Sequence, residues 1–376
     1  MSKRISNVLI VGGGFSGMAA AFELRKLGIA VELIEIDPNW HNYRAGISIG
    51  GATLRAFKTL GILDEFLQVG FACDGVDIFT PDDAYVGQLH TPRVAGDGIP
   101  GSGAVMRPVL ARLLADAIIR AGAEVRIGCT YKSIHAQAGG VQVEMTDGRK
   151  RIYDLVIGAD GIHSTVREAL FPCGSKPRYL GQGSWCALLP RPADVVRTSL
   201  WVGPNFKAGL DPVSGDSMYL FLNQSRAPGE NIEADKSLAT LQALLRQCPS
   251  KRLRQLAGAL DAKSSVIYRP IEVLLMPPPW YAGRVVLIGD AAHATTPHLA
   301  SGAGMGMEDA VVLAEEIGRA GTLEEALQAY QERRWSRCRL VAENSARLGE
   351  IEMRDGDRRE HARIMQESFM ALAEPA

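Results

Sequence analysis

Val8-Leu9-Ile10-Val11-Gly12-Gly13-Gly14-Phe15-Ser16-Gly17 is the stretch that decides the fold. Its apolar run reads as a fully buried parallel strand, and the glycines after it have G-x-G-x-x-G spacing. From Ser16 to Leu27 the apolar residues Met18, Ala21, Phe22, Leu24 and Leu27 recur at helical spacing, with Gly28 as a C-terminal cap. A second strand is expected from Val31 to Ile36. In such a unit Gly12 permits the tight turn, Gly14 lets the backbone approach a pyrophosphate, and Gly17 lets helix and strand pack closely. The helix N-terminus then offers its free N–H groups to the phosphates. Glu35 lies 23 residues past Gly12, where an acid can accept both hydroxyls of a ribose and disfavour a 2′-phosphate. A ligand-free glycine turn needs only the glycines. Strand, helix, second strand and acid in register argue for a dinucleotide.

Two further stations place a predicted strand end against a glycine turn: Asp154-Leu-Val-Ile-Gly158-Ala159-Asp160-Gly161-Ile162-His163-Ser164-Thr165-Val166-Arg167, and Gly283-Arg-Val-Val-Leu-Ile-Gly289-Asp290-Ala291-Ala292-His293 followed by Pro297. Together the three stations resemble the FAD-dependent aromatic hydroxylases, single-component flavoprotein monooxygenases related to 4-hydroxybenzoate and salicylate hydroxylases. Asp160-Gly161 with Ser164 and Arg167 matches that family's D-G-x-x-S-x-x-R element, associated with FAD and NAD(P)H use. Gly289-Asp290-Ala-Ala-His-x-x-x-Pro297 matches its later G-D element, whose aspartate resembles the one holding the flavin ribityl chain. Arg107, in Met106-Arg107-Pro-Val-Leu110, resembles the arginine that opens a helix beside the FAD phosphates. Arg44 stands near where many members carry a flavin-contacting arginine. The resemblance runs from about residue 7 to about residue 345.

Many members continue the last motif as P-x-x-G-x-G-x-N, with the asparagine near the flavin pyrimidine edge. Here the chain reads Pro297-His298-Leu299-Ala300-Ser301-Gly302-Ala303-Gly304-Met305, closer to the salicylate and hydroxynicotinate hydroxylase branch. Recognition at that edge would rest on backbone N–H groups from Gly302, Ala303, Gly304 and Met305 at a helix start, suited to negative charge developing on a reduced flavin.

At 376 residues the chain exceeds one core, so two lobes are expected. Hydrophobic residues make up 47%, enough for substantial cores, and the net charge of −1 gives no reason to expect nucleic acid or an anionic membrane as partner. Six cysteines without a C-x-x-C pair read as reduced thiols in a cytoplasmic enzyme with no metal site. Lys3 and Arg4 before an apolar stretch imitate a secretory signal, but glycines and Glu23 interrupt it. No apolar run is long enough for a spanning helix.

The fold class expected is α/β: a Rossmann-like FAD-binding domain from 1–72, 101–176 and 277–355, and a mainly antiparallel β-sheet substrate domain from 73–100 and 177–276. Inside the latter, strands are expected at Val76 to Phe79, Tyr85 to Leu89, Gly183 to Pro190, Thr198 to Val202, Ala208 to Asp211, Met218 to Asn223 and Ser264 to Tyr268, with a helix near 234–247. One or two C-terminal helices are expected from 323 to 354, their Glu and Arg repeats forming a solvated face, and 356–376 is expected as a tail.

The resemblance implies an enzyme that hydroxylates a small aromatic or N-heteroaromatic substrate, a phenol or hydroxypyridine with or without a carboxylate. It would use tight, non-covalent FAD, NADH or NADPH as transient co-substrate, and O2 through a flavin C4a-hydroperoxide. Pro297, matching the family proline at the reactive flavin edge, His298 and Tyr219 are the catalytic candidates. Trp185, Trp201, Leu222 and Met305 are candidate apolar walls, Arg191 and Arg269 candidate carboxylate anchors, and His293 a structural residue. A flavoprotein oxygenase acting on a polyketide or alkene, or a flavin-binding redox sensor without turnover, are the alternatives; a monomer or homodimer is expected.

Overall fold

The computed structural model describes residues 5–40, 45–230, 232–354 and 356–376. A six-stranded sheet runs in the order Tyr281–Ala282, Val285–Leu287, Leu155–Gly158, Asn7–Val11, Ala30–Glu35, Glu124–Ile127 and is parallel except at its Tyr281–Ala282 edge. Val8, Leu9, Ile10, Leu155, Val156 and Ile157 are fully buried, as strands covered on both faces must be. The helix Phe15–Lys26 packs against Arg107–Arg120 and Gly302–Arg319. The three glycine stations therefore meet at one end of this sheet, because each follows one of three adjacent strands.

A seven-stranded sheet forms the second layer system, in the order Ile267–Val273, Arg178–Pro190, Ser217–Ser225, Phe206–Pro212, Thr198–Gly203, Val76–Phe79, Tyr85–Leu89. All pairings are antiparallel except that between Thr198–Gly203 and Val76–Phe79. Period-two alternation gives it two distinct faces. Met218, Leu220, Leu222, Trp185, Trp201 and Leu210 point to one side, against Leu241, Leu245 and Leu253 of the helices Ser237–Gln247 and Lys251–Ala259. Each such leucine contributes about 1.5–3 kcal/mol by leaving water. Tyr219, Phe221 and Asn223 point to the other side.

Three expectations need correction. The strand expected at Ser264 to Tyr268 is Ile267–Val273, because Asp261 caps a short 3-10 turn at Ala262–Ser264 and holds those residues out of the sheet. The C-terminal stretch from 323 is one helix, Leu323–Met353, within the one or two expected, but its Glu and Arg repeats do not all lie on a solvated face: Arg334 is fully buried, with Nε bonded to Asp309 Oδ1 at 2.7 Å and Nη1 to Glu308 Oε2 at 2.9 Å. Residues 356–376 are not a tail. They form the helix Arg358–Ala373, buried through Ile364, Ser368 and Leu372, and Arg55 and Arg337 donate to the carbonyls at its end. No helix among the described residues is long and apolar enough to cross a membrane.

Candidate active site

A cleft of about 580 Å3 runs from the first glycine turn to the cleft-facing side of the antiparallel sheet. At the turn, Gly12 has φ +107° and its N–H donates to Ile34 O at 2.9 Å, while a Cβ there would lie 2.4 Å from Ala159 O. A Cβ on Gly17 would lie 2.0 Å from Gly12 O. Gly14 differs: nothing lies within 4 Å of the position its Cβ would take. It is the N-cap of Phe15–Lys26, no side chain caps that helix, and no acid occupies its first turn. Gly14, Phe15 and Ser16 line the cleft, so uncapped N–H groups and the positive end of the helix face open space. Such a cradle fits the pyrophosphate of a dinucleotide.

Arg107 opens the helix Arg107–Arg120 on the same cleft, its guanidinium 5.7 Å from the centre of the Phe15 ring and its N–H bonded to Ala45 O at 2.8 Å. Asp290 follows Gly289 and lines the cleft, with its side chain accessible from the cavity. Desolvation among the surrounding protein atoms raises its carboxyl above the usual range, against the opposing pull of His293 and Arg107. Gly302 and Ala303, the uncapped start of Gly302–Arg319, line the cleft next to Pro297. Gly304 and Met305 sit behind them: a Cβ on Gly304 would meet Thr53 Oγ1 at 2.1 Å, and Met305 is buried. Gly289 and Gly306 both pack on Ser16, which joins the first and third stations.

Other expected residues are turned elsewhere. Glu35 binds the glycine loop itself, accepting from Gly13 N at 2.6 Å and from Asp37 N at 2.8 Å. Asp160 accepts from Ser164 Oγ, Thr165 Oγ1 and Val166 N, so it caps the helix Thr165–Leu170 rather than facing the cleft. Buried Arg167 donates to Ala291 O at 2.9 Å and to Ile162 O at 2.8 Å, tying the second station to the third. His293 is structural, with Nε2 2.6 Å from Asp309 Oδ2. His293, Asp309 and Cys338 have the residue types of a metal cluster, but Asp309 is already occupied by Arg334, His293 and the Gly289 N–H. Arg44 lies outside the described residues.

The far part of the cleft has the sheet as its floor. Tyr219 packs its ring on Gly46 and donates its hydroxyl to Cys186 Sγ at 2.7 Å. His298 borders the cleft with Nδ1 held 2.8 Å from Thr296 Oγ1; its Nε2 lies 3.2 Å from Glu352 Oε2, and neither of those two buried atoms makes a hydrogen bond among the described residues. Trp185, Trp201 and Leu222 are not walls of this cleft, because strand parity sends them to the opposite face; Phe221, Leu200 and Ile47 are the walls. Arg191 is bound to Gly215 O and Val195 O on an exposed turn, and Arg269 borders a separate hollow with Tyr268 and Glu272. The cation on the sheet floor is Lys207, which sequence reasoning passed over. Its signal was available: Lys207, Gly209 and Asp211 alternate with apolar Ala208 and Leu210 along one strand.

Comparison with known proteins agrees with this geometry. Residues 6–345 match the family model described as FAD binding domain. Over 346 residues the chain is 30% identical to the putative FAD-dependent monooxygenase YetM of Bacillus subtilis, covering 92% of this chain and 93% of that one. Over 388 residues it is 31% identical to salicylate hydroxylase of Pseudomonas putida, covering 92% and 86%. The crystal structure of Klebsiella pneumoniae HpxO with FAD and uric acid shares the fold at a TM-score of 0.84 and 24% identity, covering 97% of each chain.

Proposed function

The chain belongs to the FAD-dependent aromatic hydroxylase family, and from that premise we propose that it is an FAD-dependent monooxygenase hydroxylating a small aromatic or N-heteroaromatic ring with NADH or NADPH and O2. The observation that carries this reading is one continuous cleft. It joins the open cradle at Gly14, the helix start at Gly302 and Ala303, and a sheet floor of Tyr219, Phe221 and Asn223. Relatives named salicylate hydroxylase, 3-hydroxybenzoate 6-hydroxylase and FAD-dependent urate hydroxylase support the substrate class.

FAD, when bound, supplies electron transfer from the nicotinamide and the activation of O2. The protein's part is binding, orientation and electrostatics. Gly14, Phe15 and Ser16 present N–H groups to the pyrophosphate, with Arg107 adding charge. Asp290 accepts hydrogen bonds from the ribityl hydroxyls. The start of Gly302–Arg319 faces the flavin pyrimidine edge, where its dipole favours negative charge. Pro297, Phe221 and Leu200 hold the substrate ring in an apolar slot that excludes water. The nicotinamide docks transiently, since the residues contain one dinucleotide fingerprint.

Purified protein should be yellow with bound FAD, and a subset of small aromatics should accelerate NAD(P)H oxidation and leave as products carrying one atom of 18O from labelled O2. Flavin-loaded protein whose NAD(P)H oxidation no aromatic or heteroaromatic accelerates would overturn the reading.

A further inference from the structure

The buried acids among the described residues are held in two ways, and Asp211 is held in neither. Glu32, Glu308, Asp309, Glu316 and Glu352 pair with arginine or lysine, and Asp154 accepts the backbone N–H groups of Ser6 and Asn7. Asp211 lies fully buried on the floor strand Phe206–Pro212, and its partners are two hydroxyls: Ser48 Oγ donates to Oδ2, and Thr198 Oγ1 donates to Oδ1 at 2.6 Å. No described lysine, arginine or histidine pairs with it. Burial pushes its carboxyl above the usual range, with the two hydroxyls pulling the other way.

Both hydroxyls belong to the cleft. Ser48 and Thr198 are partly exposed, and both border it. Ser48 reaches Asp211 from the strand Gly46–Gly50, whose Gly46 carries the ring of Tyr219, the residue opposed to Asp211 across the ladder. Thr198 opens the strand Thr198–Gly203, and its neighbour on the cleft, Leu200, leads to the apolar middle of the floor. There Gly209 leaves room for the Phe221 ring, which a Cβ would meet at 2.2 Å, making a flat bed for a ring. A hydroxyl has one proton to donate and lone pairs to accept with. With the proton of each committed to Asp211, Ser48 and Thr198 meet a ligand as acceptors. The carboxylate itself has no exposed surface, so it acts through them. A pin between two strands is served equally well by a cation or a backbone N–H; a hydroxyl is the donor that can take up one proton and pass on another in the same step.

We propose that Ser48 and Thr198 receive the ring hydroxyl of the substrate and that Asp211, behind them, takes up its proton. The substrate O–H bond breaks as an O–H bond forms on Ser48 or Thr198, whose own proton passes to Asp211. The ring is left as its oxyanion and Asp211 as a neutral carboxylic acid, with the total charge unchanged. An ionised ring oxygen gives electrons to the ring and so readies it for attack on an electrophilic oxygen. This rests on the monooxygenase reading and names the residues that prepare the substrate in the same cleft. Ser48 and Thr198 touch the substrate, and Asp211 is a positioning residue that works through them.

The test uses the FAD-loaded enzyme with 4-nitrophenol, whose ionised form absorbs visible light, and with its methyl ether 4-nitroanisole. Calorimetric titration in two buffers of different ionisation enthalpy gives the affinity and the protons exchanged with water, and difference spectra against unliganded enzyme give the ionised fraction of bound probe. At a pH where the free phenol is mostly neutral, the wild type should bind it at least about tenfold more tightly than the ether. The bound phenol should show the ionised band with no proton released to the buffer, because Asp211 keeps it. Asp211→Asn has no place for that proton, and its amide donates to one hydroxyl, turning that hydroxyl's own proton into the cleft. The preference should then fall to within about threefold, and any ionised band should come with a proton released for each probe bound. A pin without this role would shift the melting temperature and leave the preference and the proton count alone. FAD content and melting temperature report folding. If Asp211→Asn does not fold, Ser48→Ala and Thr198→Val each delete one bridge and keep the carboxylate, and at least one of them should lose the preference and release the proton. Equal binding of the ether, a phenol bound un-ionised, a proton released by the wild type, no binding of 4-nitrophenol, or wild-type preference and proton count in Asp211→Asn or in both single-bridge variants would each overturn the proposal. Those outcomes leave the monooxygenase reading standing if other aromatics still drive turnover. A wild type that purifies without FAD sinks that reading instead.

Discussion

The glycine turn at Gly12 to Gly17 and the sheet floor at Lys207 to Asn223 build their parts of the cleft by opposite means. At the turn, the functional feature is the absence of side chains: the backbone of Gly12 and Gly17 touches other backbone, and Gly14 leaves a hollow. On the floor, the feature is which side chains are present and to which face they point. An absence at fixed spacing can be read along the chain, since glycine has few other reasons to recur in that pattern. A presence cannot be assigned until strand register is known, because a shift of one residue exchanges the cleft-facing set for the core-facing set.

The largest effect should come from neither region but from the charge cluster that backs the third station. Buried Arg334 holds Asp309 and Glu308, and Asp309 in turn holds His293 and the Gly289 N–H. Arg334→Met removes the buried cation shared by Asp309 and Glu308, leaving Asp309 to His293 and the Gly289 N–H and Glu308 to Arg337, and should cost about 3–5 kcal/mol in urea unfolding. A loss under 1 kcal/mol would show that this cluster does not set the geometry of the cleft. The same carboxylates make a pH prediction. Burial would raise Asp309, Glu308 and Glu352, but Arg334, His293, Arg337, Lys207 and His298 outweigh it and hold all three below the usual carboxylate range. Depressed carboxylates contribute stability that is full above their unfolded values, near pH 4, and is lost as pH falls toward their folded values. The melting temperature should therefore fall steeply below about pH 4, and a flat profile to pH 3 would contradict the pairing.

Next comes a contrast inside the turn. Gly14→Val puts a side chain into open space at φ −71°, a conformation any residue adopts, so the fold should persist while FAD binding weakens by about a hundredfold or more. Gly17→Ala drives a Cβ into the Gly12 carbonyl and should destabilise the fold itself by about 1–3 kcal/mol. Two glycines of one motif would thus fail by different routes, read by flavin absorbance and by thermal melting. A yellow Gly14→Val protein would remove the pyrophosphate from this turn.

The contrast also explains what the sequence disclosed. The first strand, helix and second strand, and the strands Val76–Phe79 and Tyr85–Leu89, lie where local pattern places them. Trp185 and Trp201 attracted a pocket assignment because they are large and aromatic, yet parity puts them under the helices that cover the outer face. Arg334 looks like its neighbours Arg333 and Arg337 in a run of alternating charge, and only tertiary packing singles it out as fully buried. The helix Arg358–Ala373 was legible in part: Ile364, Ser368 and Leu372 recur every four residues, but the charged residues among them hide the stripe. Glu35 and Asp160 were chosen for their motif positions, and the structure gives both local backbone hydrogen bonds that motif spacing does not encode.

Asp290→Ala comes third in size. Its carboxylate reaches the cleft beside Gly302, and losing an acceptor for ribityl hydroxyls should weaken FAD by about 1–3 kcal/mol while leaving the fold intact. Asp290→Asn retains one acceptor and should recover part of the loss. Equal FAD dissociation constants for wild type and both variants would move the ribityl chain away from this residue.

The smallest effect is expected at Tyr219, and it tests the floor most directly. The ring is packed on Gly46, where a Cβ would come within 2.4 Å of it, and the hydroxyl donates to the Cys186 thiol, itself pushed up by burial. That hydrogen bond lies between adjacent strands, beneath the surface on which a substrate ring would rest. Tyr219→Phe keeps the ring and deletes only the donor, so stability should fall by about 0.5–1.5 kcal/mol and substrate-stimulated turnover should stay within about threefold of wild type. A loss of a hundredfold in turnover with FAD still bound would mean that the hydroxyl leaves Cys186 for the substrate during reaction. In that event position 219 acts through its polar atom, and the apolar middle of the floor is confined to Gly209 and Phe221.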